Sequence, residues 1–264
     1  MATVLDPSGG PSPAALDVHD LVVDVGGARL LDGITFSVPP ESRTALVGAS
    51  GSGKSMTAGA VVGRLPLTAT ATGSVRVAGT EVLGVPAARR RAAGRVAAVA
   101  QDPLSALNPL VPIGTQLTMP LRRRAGLRGS AARARARELL LSVGLDDPDR
   151  VLGSVAGELS GGQRQRVCTA IALASEASLL VADEPTTALD LVTQAQVVDV
   201  LRRHTRSTAL LFITHDVAVA AALCDRVVVL EHGRVVEQGP TTELVSAPSS
   251  DHLRELVCAA RAAA

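Results

Sequence analysis

Aromatic residues are almost missing from this sequence of 264 residues, which has two phenylalanines and neither tryptophan nor tyrosine. Hydrophobic residues still make up 47% of the chain, so a core must be built from Val, Leu, Ile and Ala. The net charge is only +1, which excludes a general electrostatic attraction to nucleic acid or to acidic membranes. This length suits one large domain or two closely joined ones.

Long apolar runs are also missing. None approaches the roughly 18 residues that cross a bilayer, and the longest, 217–224, predicts an ordinary packed helix. The N-terminus contains Asp6 and no basic start before an apolar segment, which argues against a secretory signal. We therefore expect a soluble chain that reaches a membrane only through a partner.

Cysteine is scarce, with three residues far apart and no CxxC pair. This pattern predicts small buried apolar residues in a reducing compartment, and it disfavours a metal or redox role. The three are Cys168, Cys224 and Cys258.

Lysine occurs once, in a glycine-rich segment, whereas all other Lys/Arg positions hold arginine. A site that needs a compact ammonium group, and not a planar guanidinium, would explain this choice. An apolar run, 45–47, precedes the segment, and an alanine-rich stretch with helical character follows from Met56 to Leu65. Strand, glycine loop and helix start in this order are typical of a phosphate-binding P-loop. The segment is Gly48-Ala49-Ser50-Gly51-Ser52-Gly53-Lys54-Ser55.

Each residue type in this segment fits phosphate binding. Glycines let successive backbone N–H groups turn toward one point without an obstructing side chain. The helix that begins at Lys54 adds the positive end of its dipole. Lys54 would reach the terminal phosphates, and the Ser55 hydroxyl would ligate Mg²⁺. The alternative is a plain glycine-rich turn. The predicted strand before the segment and the predicted helix after it favour the P-loop.

A second helix N-terminus is predicted after Leu159. Ser160 suits the N-cap, and Gly161 and Gly162 would expose the first N–H groups of a helix that runs from Gln163 to about residue 174. By itself this Ser-Gly-Gly could be a simple cap. The carboxylates described next make an anion-binding role the better interpretation.

The apolar run 179–182 predicts a buried strand that ends at Asp183 and Glu184, at the edge where doubly wound sheets bind ligands. Asp183 is suited to hold Mg²⁺ through water, and Glu184 to polarise an attacking water. The alternative is an acidic pair that merely caps a strand. A further strand, 209–214, delivers His215 to the same edge, where a phosphate-sensing role is favoured over a structural one.

The remaining sequence predicts the organisation of the chain. We expect a disordered tail at 1–15, a main domain at 16–245 with a helical subdomain inserted at about 102–159, and a helical C-terminal extension at 246–264. Seven arginines between 122 and 137 predict a solvated surface, with contact to lipid headgroups or to an acidic loop of a membrane partner as the alternative. Arg89-Arg90-Arg91 also predicts a solvated face.

The order of the motifs in this sequence resembles that of the ATP-binding cassette (ABC) ATPases over essentially residues 16–245. These motifs are the P-loop, Gln101, 159–163, Asp183-Glu184, Asp190 and His215. The resemblance implies an α/β fold: a P-loop NTPase (RecA-like) core with an N-terminal antiparallel β subdomain and an inserted helical signature subdomain. It implies ATP and Mg²⁺ as ligands. Two subunits would close head to tail, so that the P-loop of one and the Ser160 loop of the other enclose each ATP.

The resemblance also implies a role for each motif. Glu184, His215, Lys54 and Gln101 would be catalytic, with Gln101 linking Mg²⁺ and water to the membrane partner. Ser55, Gln101 and Asp183 would hold the metal. Nucleotide contacts would come from Gly48, Ala49, Ser50, Gly51, Ser52, Gly53, Lys54, Ser55, Met56, Ser160, Gly161, Gly162, Gln163 and Asp190.

Within the family, the segments 101–109 and 183–190 resemble the dipeptide, oligopeptide and nickel importer ATPases. This implies permease subunits, a second ATPase that is a paralogue or the chain itself, an indirect extracytoplasmic substrate-binding protein, and a place at the cytoplasmic face of the inner membrane. Two features depart from the group. The adenine-stacking aromatic expected near Val25 is missing, and a C-terminal His-Pro-Tyr-Thr-like segment is reduced to 250–253, with His252.

Other function classes fit less well. A soluble ABC-type switch in DNA repair or translation usually carries coiled-coil insertions, zinc sites or tandem cassettes, none of which the sequence shows. A GTPase would need a second lysine for its guanine-reading motif. A small-molecule kinase would give no reason for the Ser160 loop.

Overall fold

The computed structural model describes residues 14–186, 190–205 and 207–262, apart from the side chains of Arg124, Arg261 and Ala262. The predicted disordered tail lies almost entirely outside these residues. Ala15, the last residue of the predicted tail, is buried, and its carbonyl accepts a hydrogen bond from Ala78 N at 3.1 Å. Ala15 therefore packs against the fold although it precedes β1.

Ten strands and ten α-helices follow. The strands are β1 (Leu16–Val25), β2 (Ala28–Val38), β3 (Arg43–Val47), β4 (Ala69–Val77), β5 (Thr80–Glu81), β6 (Val96–Val99), β7 (Leu179–Asp183), β8 (Ala209–Thr214), β9 (Arg226–Glu231) and β10 (Arg234–Pro240). The helices are α1 (Lys54–Val62), α2 (Pro103–Ala106), α3 (Ile113–Arg124), α4 (Gly129–Ser142), α5 (Pro148–Gly153), α6 (Gly161–Leu173), α7 (Leu191–His204), α8 (Val217–Leu223), α9 (Thr241–Ser246) and α10 (Asp251–Ala262). These counts cover the described ranges only.

The central sheet has the strand order β10-β9-β3-β8-β7-β6. All neighbours are parallel except the β9–β10 hairpin. Strands β3, β7 and β8 are almost wholly buried, and each contains an uninterrupted apolar run (45–47, 179–182 and 209–213) in place of alternation. Their carboxyl ends meet at one edge, since Val47 pairs with Thr214 and Asp183 with Ile213. This edge brings the P-loop, the acidic pair and His215 together.

A second, antiparallel sheet has the order β2-β1-β4-β5. Residues of β1 and β2 alternate between buried and exposed, as expected for strands with one face on a core. That core is shared with α1 and with one face of the central sheet. The antiparallel β subdomain and the RecA-like core of the predicted fold are therefore confirmed.

Helices α2 to α6 lie between β6 and β7 and enclose an apolar cluster of their own, with Ile113, Leu117 and Leu140 fully buried. The arginines of α4 lie at the surface, as predicted. Arg133 and Arg137 pair with Asp149 of α5, and the Arg guanidinium groups lower the pKa of that carboxyl despite a smaller opposing effect of burial.

The prediction of a solvated face at 89–91 is wrong for Arg90, which is only 6% exposed. Its guanidinium donates to the carbonyls of Val85 (3.0 Å), Val82 (3.3 Å) and Val61 in the last turn of α1. Burial lowers the pKa of Arg90. The carbonyl dipoles at a helix C-terminus favour a cation, which explains why this one is buried.

The cysteine prediction is wrong for one residue. Cys168 and Cys224 are buried, and burial raises the pKa of the Cys168 thiol to about 12. Cys258 is exposed on α10, because Leu253 and Val257 occupy the face of that helix that packs on the core. Among the described residues no helix is long and apolar enough to span a bilayer.

Candidate functional site

The loop between β3 and α1 is shaped by two glycines that no other residue could replace without displacement. A Cβ on Gly48 would lie 2.2 Å from the carbonyl oxygen of Leu230, and one on Gly53 would lie 2.6 Å from Leu31 Cδ2. Gly53 also has φ 108°, a conformation that favours glycine. By contrast, Gly51 is open to its surroundings and is required only by its φ of 79°. The loop is thus pressed against β9 on one side and open on the other.

Lys54, the first residue of α1, is only 6% exposed and folds back onto its own loop. Its ammonium donates to the carbonyl oxygens of Gly48 at 2.8 Å and Ala49 at 2.9 Å. Burial lowers the pKa of Lys54, and the nearby charges of Glu184 and Asp183 partly offset this. A cation that is buried against backbone oxygens can exchange these partners for stronger phosphate oxygens.

The carboxyl edge of the sheet holds a cavity of about 180 Å³, and its lining includes Ser55, Gln101 and Asp183. These are the three residues predicted to hold the metal. Asp183 Oδ1 is buried without a hydrogen-bond partner in the described part of the chain. Burial and the charge of Glu184 raise the pKa of Asp183, while Lys54 opposes them. A hydroxyl, an amide and a carboxylate oxygen without a partner among the described residues suit an oxygen-preferring ion such as Mg²⁺.

Glu184 and His215 form a pair across the ends of β7 and β8. His215 Nδ1 lies 3.0 Å from Glu184 Oε2, and the Glu184 side chain is only 13% exposed whereas that of His215 is 57% exposed. Glu184 has a positive φ of 46°, and its N–H donates to Ile213 O at 2.9 Å. A left-handed backbone is uncommon for a residue other than glycine, and such positions cluster at functional sites.

The second predicted anion site is exposed and caps itself. Ser160 Oγ accepts from Gln163 N at 3.2 Å, while Gln163 Oε1 accepts from Ser160 N at 3.0 Å, a reciprocal capping box. Ser160 and Gly161 are both exposed. None of the residues 160–163 lines the cavity at the sheet edge. The structure therefore does not bring this helix end to the P-loop of the same chain.

Asp190 stands beside the Ser160 loop, as the N-cap of α7. Its carboxylate accepts from Val192 N and Thr193 N at 3.0 Å and from Thr193 Oγ1 at 2.7 Å. These hydrogen bonds lower the pKa of Asp190. A Cβ on Gly162 would lie 3.3 Å from Thr193 Cγ2, so α6 and α7 begin close together. The residues 187–189 that precede Asp190 lie outside the described part of the chain.

Three other predicted contacts, Ser50, Ser52 and Met56, differ in how exposed their side chains are. Ser50 is exposed, whereas Ser52 is buried and its hydroxyl has no partner among the described residues. Met56 packs, partly buried, against the core.

One contact at the P-loop was not predicted. His252 of α10 accepts a hydrogen bond at Nε2 from the N–H of Ala49, at 3.2 Å. The only signal in the sequence was a histidine in a shortened C-terminal segment. Since 203 residues separate the partners, no local pattern could have joined them.

Comparison with known proteins agrees with this geometry. Residues 31–187 match the family model described as ABC transporter. The chain is 45% identical over 240 residues to the oligopeptide transport ATP-binding protein OppD of Mycobacterium bovis, covering 87% of this chain and 39% of OppD. It is 39% identical over 254 residues to the peptidoglycan transport ATP-binding protein YejF of Agrobacterium fabrum, covering 92% and 46%. The chain thus spans less than half the length of either relative.

Solved structures give the same result. An ATP-binding subunit of an ABC transporter superposes with a TM-score of 0.75 at 25% identity, covering 94% of this chain and 99% of that one. CbiO1 of Clostridium perfringens, part of the transporter complex CbiONQ, shares the fold with a TM-score of 0.72 at 24% identity. The resemblance inferred from the motifs is confirmed, and this chain belongs to the ABC transporter family.

Proposed function

We propose that the chain binds and hydrolyses ATP as the motor subunit of a membrane importer of peptides. The observation that carries this proposal is the sheet edge itself. Three features converge there: a buried lysine that donates to two loop carbonyls, an aspartate oxygen without a hydrogen-bond partner among the described residues, and the Glu184–His215 pair. The proposal includes the domain division expected from the sequence. The ATPase domain spans 16–245 with a helical insertion at about 102–159, and a C-terminal extension follows at 246–264.

In this proposal the loop receives the phosphates. Backbone N–H groups of the P-loop and the start of α1 face the triphosphate, and Lys54 leaves the carbonyls of Gly48 and Ala49 to contact it. Ser55, Gln101 and Asp183 hold Mg²⁺, which supplies charge neutralisation to the triphosphate when bound. Met56 contributes its backbone N–H.

Glu184 then acts on the attacking water. His215 Nδ1, 3.0 Å from Glu184 Oε2, fixes the rotamer of the carboxylate. The carboxylate held in this way orients the water toward the γ-phosphate. The exposed His215 ring would sense that phosphate. Most of the acceleration comes from position and electrostatics, because phosphoryl transfer needs little covalent help from the protein.

The Ser160 loop acts on a neighbour's nucleotide. Ser160 and Gly161 are exposed, and residues 160–163 do not line the cavity of their own chain, which supports a role in a head-to-tail dimer. Gly161, Gly162 and Gln163 offer the helix N-terminus, and Asp190 stands beside it. Closure on ATP and reopening after hydrolysis would drive transport. The second ATPase is a paralogue or the chain itself, and the resemblance to peptide importers favours a paralogue.

Names of the relatives support peptide as the cargo, since OppD is an oligopeptide transport protein. Nickel, carried by other importers of the group, is the second option. The partners are permease subunits, with an extracytoplasmic substrate-binding protein acting indirectly, and the place is the cytoplasmic face of the inner membrane. Relatives that are transport proteins do not favour the DNA-repair or translation alternative.

The variant Glu184→Gln tests the proposal. Its amide keeps the size of the side chain but cannot accept a proton, so ATP hydrolysis should fall by about 10²-fold or more. ATP binding should persist, and size-exclusion chromatography with ATP should show a lasting dimer, with the partner ATPase added if the chain alone stays monomeric. Undiminished hydrolysis would remove Glu184 from this role.

A second measurement addresses the partner. The tagged chain, expressed in its own cell, should co-purify with an integral membrane protein in detergent. Co-purification with nucleic acid or ribosomes instead would contradict the transport function and leave ATP hydrolysis intact.

A further inference from the structure

The C-terminal helix α10 begins against the P-loop, 203 residues away in sequence. Its first turn places the His252 ring where only 10% of the side chain is exposed. Nε2 accepts from Ala49 N at 3.2 Å. On the other side of the ring, Nδ1 lies 3.9 Å from Glu231 Oε1. The negative charge of Glu231 favours the proton on Nδ1, which leaves the Nε2 lone pair free to accept.

The peptide unit between Gly48 and Ala49 is held from both sides. Its carbonyl oxygen accepts from the Lys54 ammonium at 2.8 Å, and its N–H donates to His252 at 3.2 Å. None of the described peptide bonds is cis, so these two groups point in opposite directions. Lys54 and His252 therefore fix the rotation of the same peptide plane.

Nucleotide binding would remove one of these two restraints. When Lys54 turns to the phosphates it leaves the Gly48 carbonyl, and the imidazole is then the side chain that still holds this peptide. A loop that keeps its shape in both states avoids the conformational cost of being ordered on binding.

The base of α10 is built to hold the ring in place. Ser249 N and Ser250 N each donate to the Glu237 carboxylate of β10 at 2.9 Å, and Ser250 Oγ donates to it at 2.7 Å. Leu253 N in turn donates to Ser250 Oγ at 3.2 Å. Leu253 is fully buried in the core of the central sheet. The position of His252 is thus set by the sheet and not by the loop that it contacts.

We propose that His252 is a positioning residue for nucleotide binding, which keeps the Gly48–Ala49 peptide in its binding orientation while Lys54 is engaged with the phosphates. The inference rests on the proposed ATP function and adds to it a residue from the C-terminal extension. It acts on affinity, since the ring touches the loop and none of the reacting groups.

Four variants test it in the full chain. His252→Ala removes the acceptor. His252→Gln places an amide oxygen near the position of Nε2, whereas His252→Asn carries the same amide too close to the helix to reach Ala49. Arg254→Ala is the control on the same helix, because its exposed side chain pairs with Asp251 and donates to the Ser249 carbonyl, away from the P-loop contact of His252. The dissociation constant for ATP with Mg²⁺ and the kcat and KM for hydrolysis are measured for each, with Tm as a check on folding.

His252→Ala and His252→Asn should weaken ATP binding and raise KM by about tenfold, the worth of one hydrogen bond of about 1.4 kcal/mol. Their kcat should stay within about twofold. His252→Gln should recover most of the affinity, and Arg254→Ala should equal the unaltered protein. If His252→Ala does not fold, the difference in ATP affinity between His252→Gln and His252→Asn still tests the inference.

Equal affinities for the Gln and Asn variants, unchanged affinity in His252→Ala, or a fall in kcat alone would overturn the inference. In each of these outcomes the unaltered chain still binds ATP, so the proposed function survives. Failure of the unaltered chain to bind ATP would overturn both.

Discussion

The two helix N-termini that the sequence predicts as anion sites, α1 and α6, are built in opposite ways. The first is pressed against β9 and α10, and its N-cap, Gly53, makes no side-chain cap. The second is exposed and is closed by its own Ser160–Gln163 box. An uncapped N-terminus leaves its N–H groups to a ligand, whereas a capped one is stable before its ligand arrives.

This difference shows which end is complete within the chain. The P-loop has its lysine, the residues proposed to hold Mg²⁺ and its packing support in one polypeptide. The N-terminus of α6 is stabilised by its own cap, but in the described part of the chain no phosphate-binding loop faces it. One end should therefore govern binding, and the other should govern turnover after assembly.

Loss of the buried cation should have the largest effect. Lys54→Ala is expected to weaken ATP binding by about 100-fold, since a charge-assisted contact in a buried site disappears. Lys54→Arg should lose at least tenfold, because a planar guanidinium does not fit the space against two loop carbonyls. Isothermal titration with ATP and Mg²⁺ measures both. Normal affinity in the alanine variant would contradict the P-loop assignment.

A block at the exposed end should leave binding intact. Ser160→Arg is expected to lower hydrolysis by at least about tenfold, because a long cation would obstruct the neighbour's nucleotide at a site where position supplies the catalysis. The affinity of the single chain for ATP should stay within about twofold. Ser160→Ala separates the loss of the cap, about 1 kcal/mol of stability, from the obstruction. A parallel loss of affinity would mean that both helix ends serve one chain.

Asp183 tests the cost of burying a carboxylate whose Oδ1 has no hydrogen-bond partner among the described residues. Its folded pKa is raised, so ionised Asp183 destabilises the protein without nucleotide at any pH above its unfolded pKa. Asp183→Asn should therefore raise the free energy of unfolding at neutral pH by about 1 kcal/mol. The gain should shrink as pH falls through the raised pKa toward 3.8, where the unfolded carboxyl also takes up a proton.

The same variant should lose the thermal stabilisation that ATP with Mg²⁺ gives the unaltered chain. Denaturant titrations at several pH values, with and without nucleotide, provide both measurements. A less stable empty Asn variant would show that Asp183 holds the fold and not a metal.

Restoring an aromatic ring should have the smallest effect. Val25 ends β1 and packs, partly buried, against the core. Val25→Tyr is expected to tighten ATP binding about fivefold by base stacking of about 1 kcal/mol, while Val25→Leu should not. Inorganic triphosphate, which has no base, should bind all three proteins equally. Tighter triphosphate binding in the tyrosine variant would show that the loop moved.

The sequence allowed the P-loop and the strand ends to be predicted because their determinants are local. The spacing of the glycines defines the P-loop, and a buried apolar run with the polar residues that follow it defines each strand end. The carboxyl edge then follows from the parallel order of the strands. Arg90 and His252 could not be predicted, since a buried cation on carbonyls and a ring on a distant N–H depend on packing between segments. For the same reason the sequence did not predict that Cys258 is exposed.

Lys54 carries the one ε-amine of the chain, and that amine is buried against its own loop. An acylating or reductively methylating reagent therefore has a single side-chain target of this kind, which coincides with the triphosphate pocket. An isotope-labelled methyl group placed there would give one resonance, uncrowded by other lysines. Nucleotide binding at the P-loop could thus be followed by spectroscopy in the isolated chain without introducing a foreign label site.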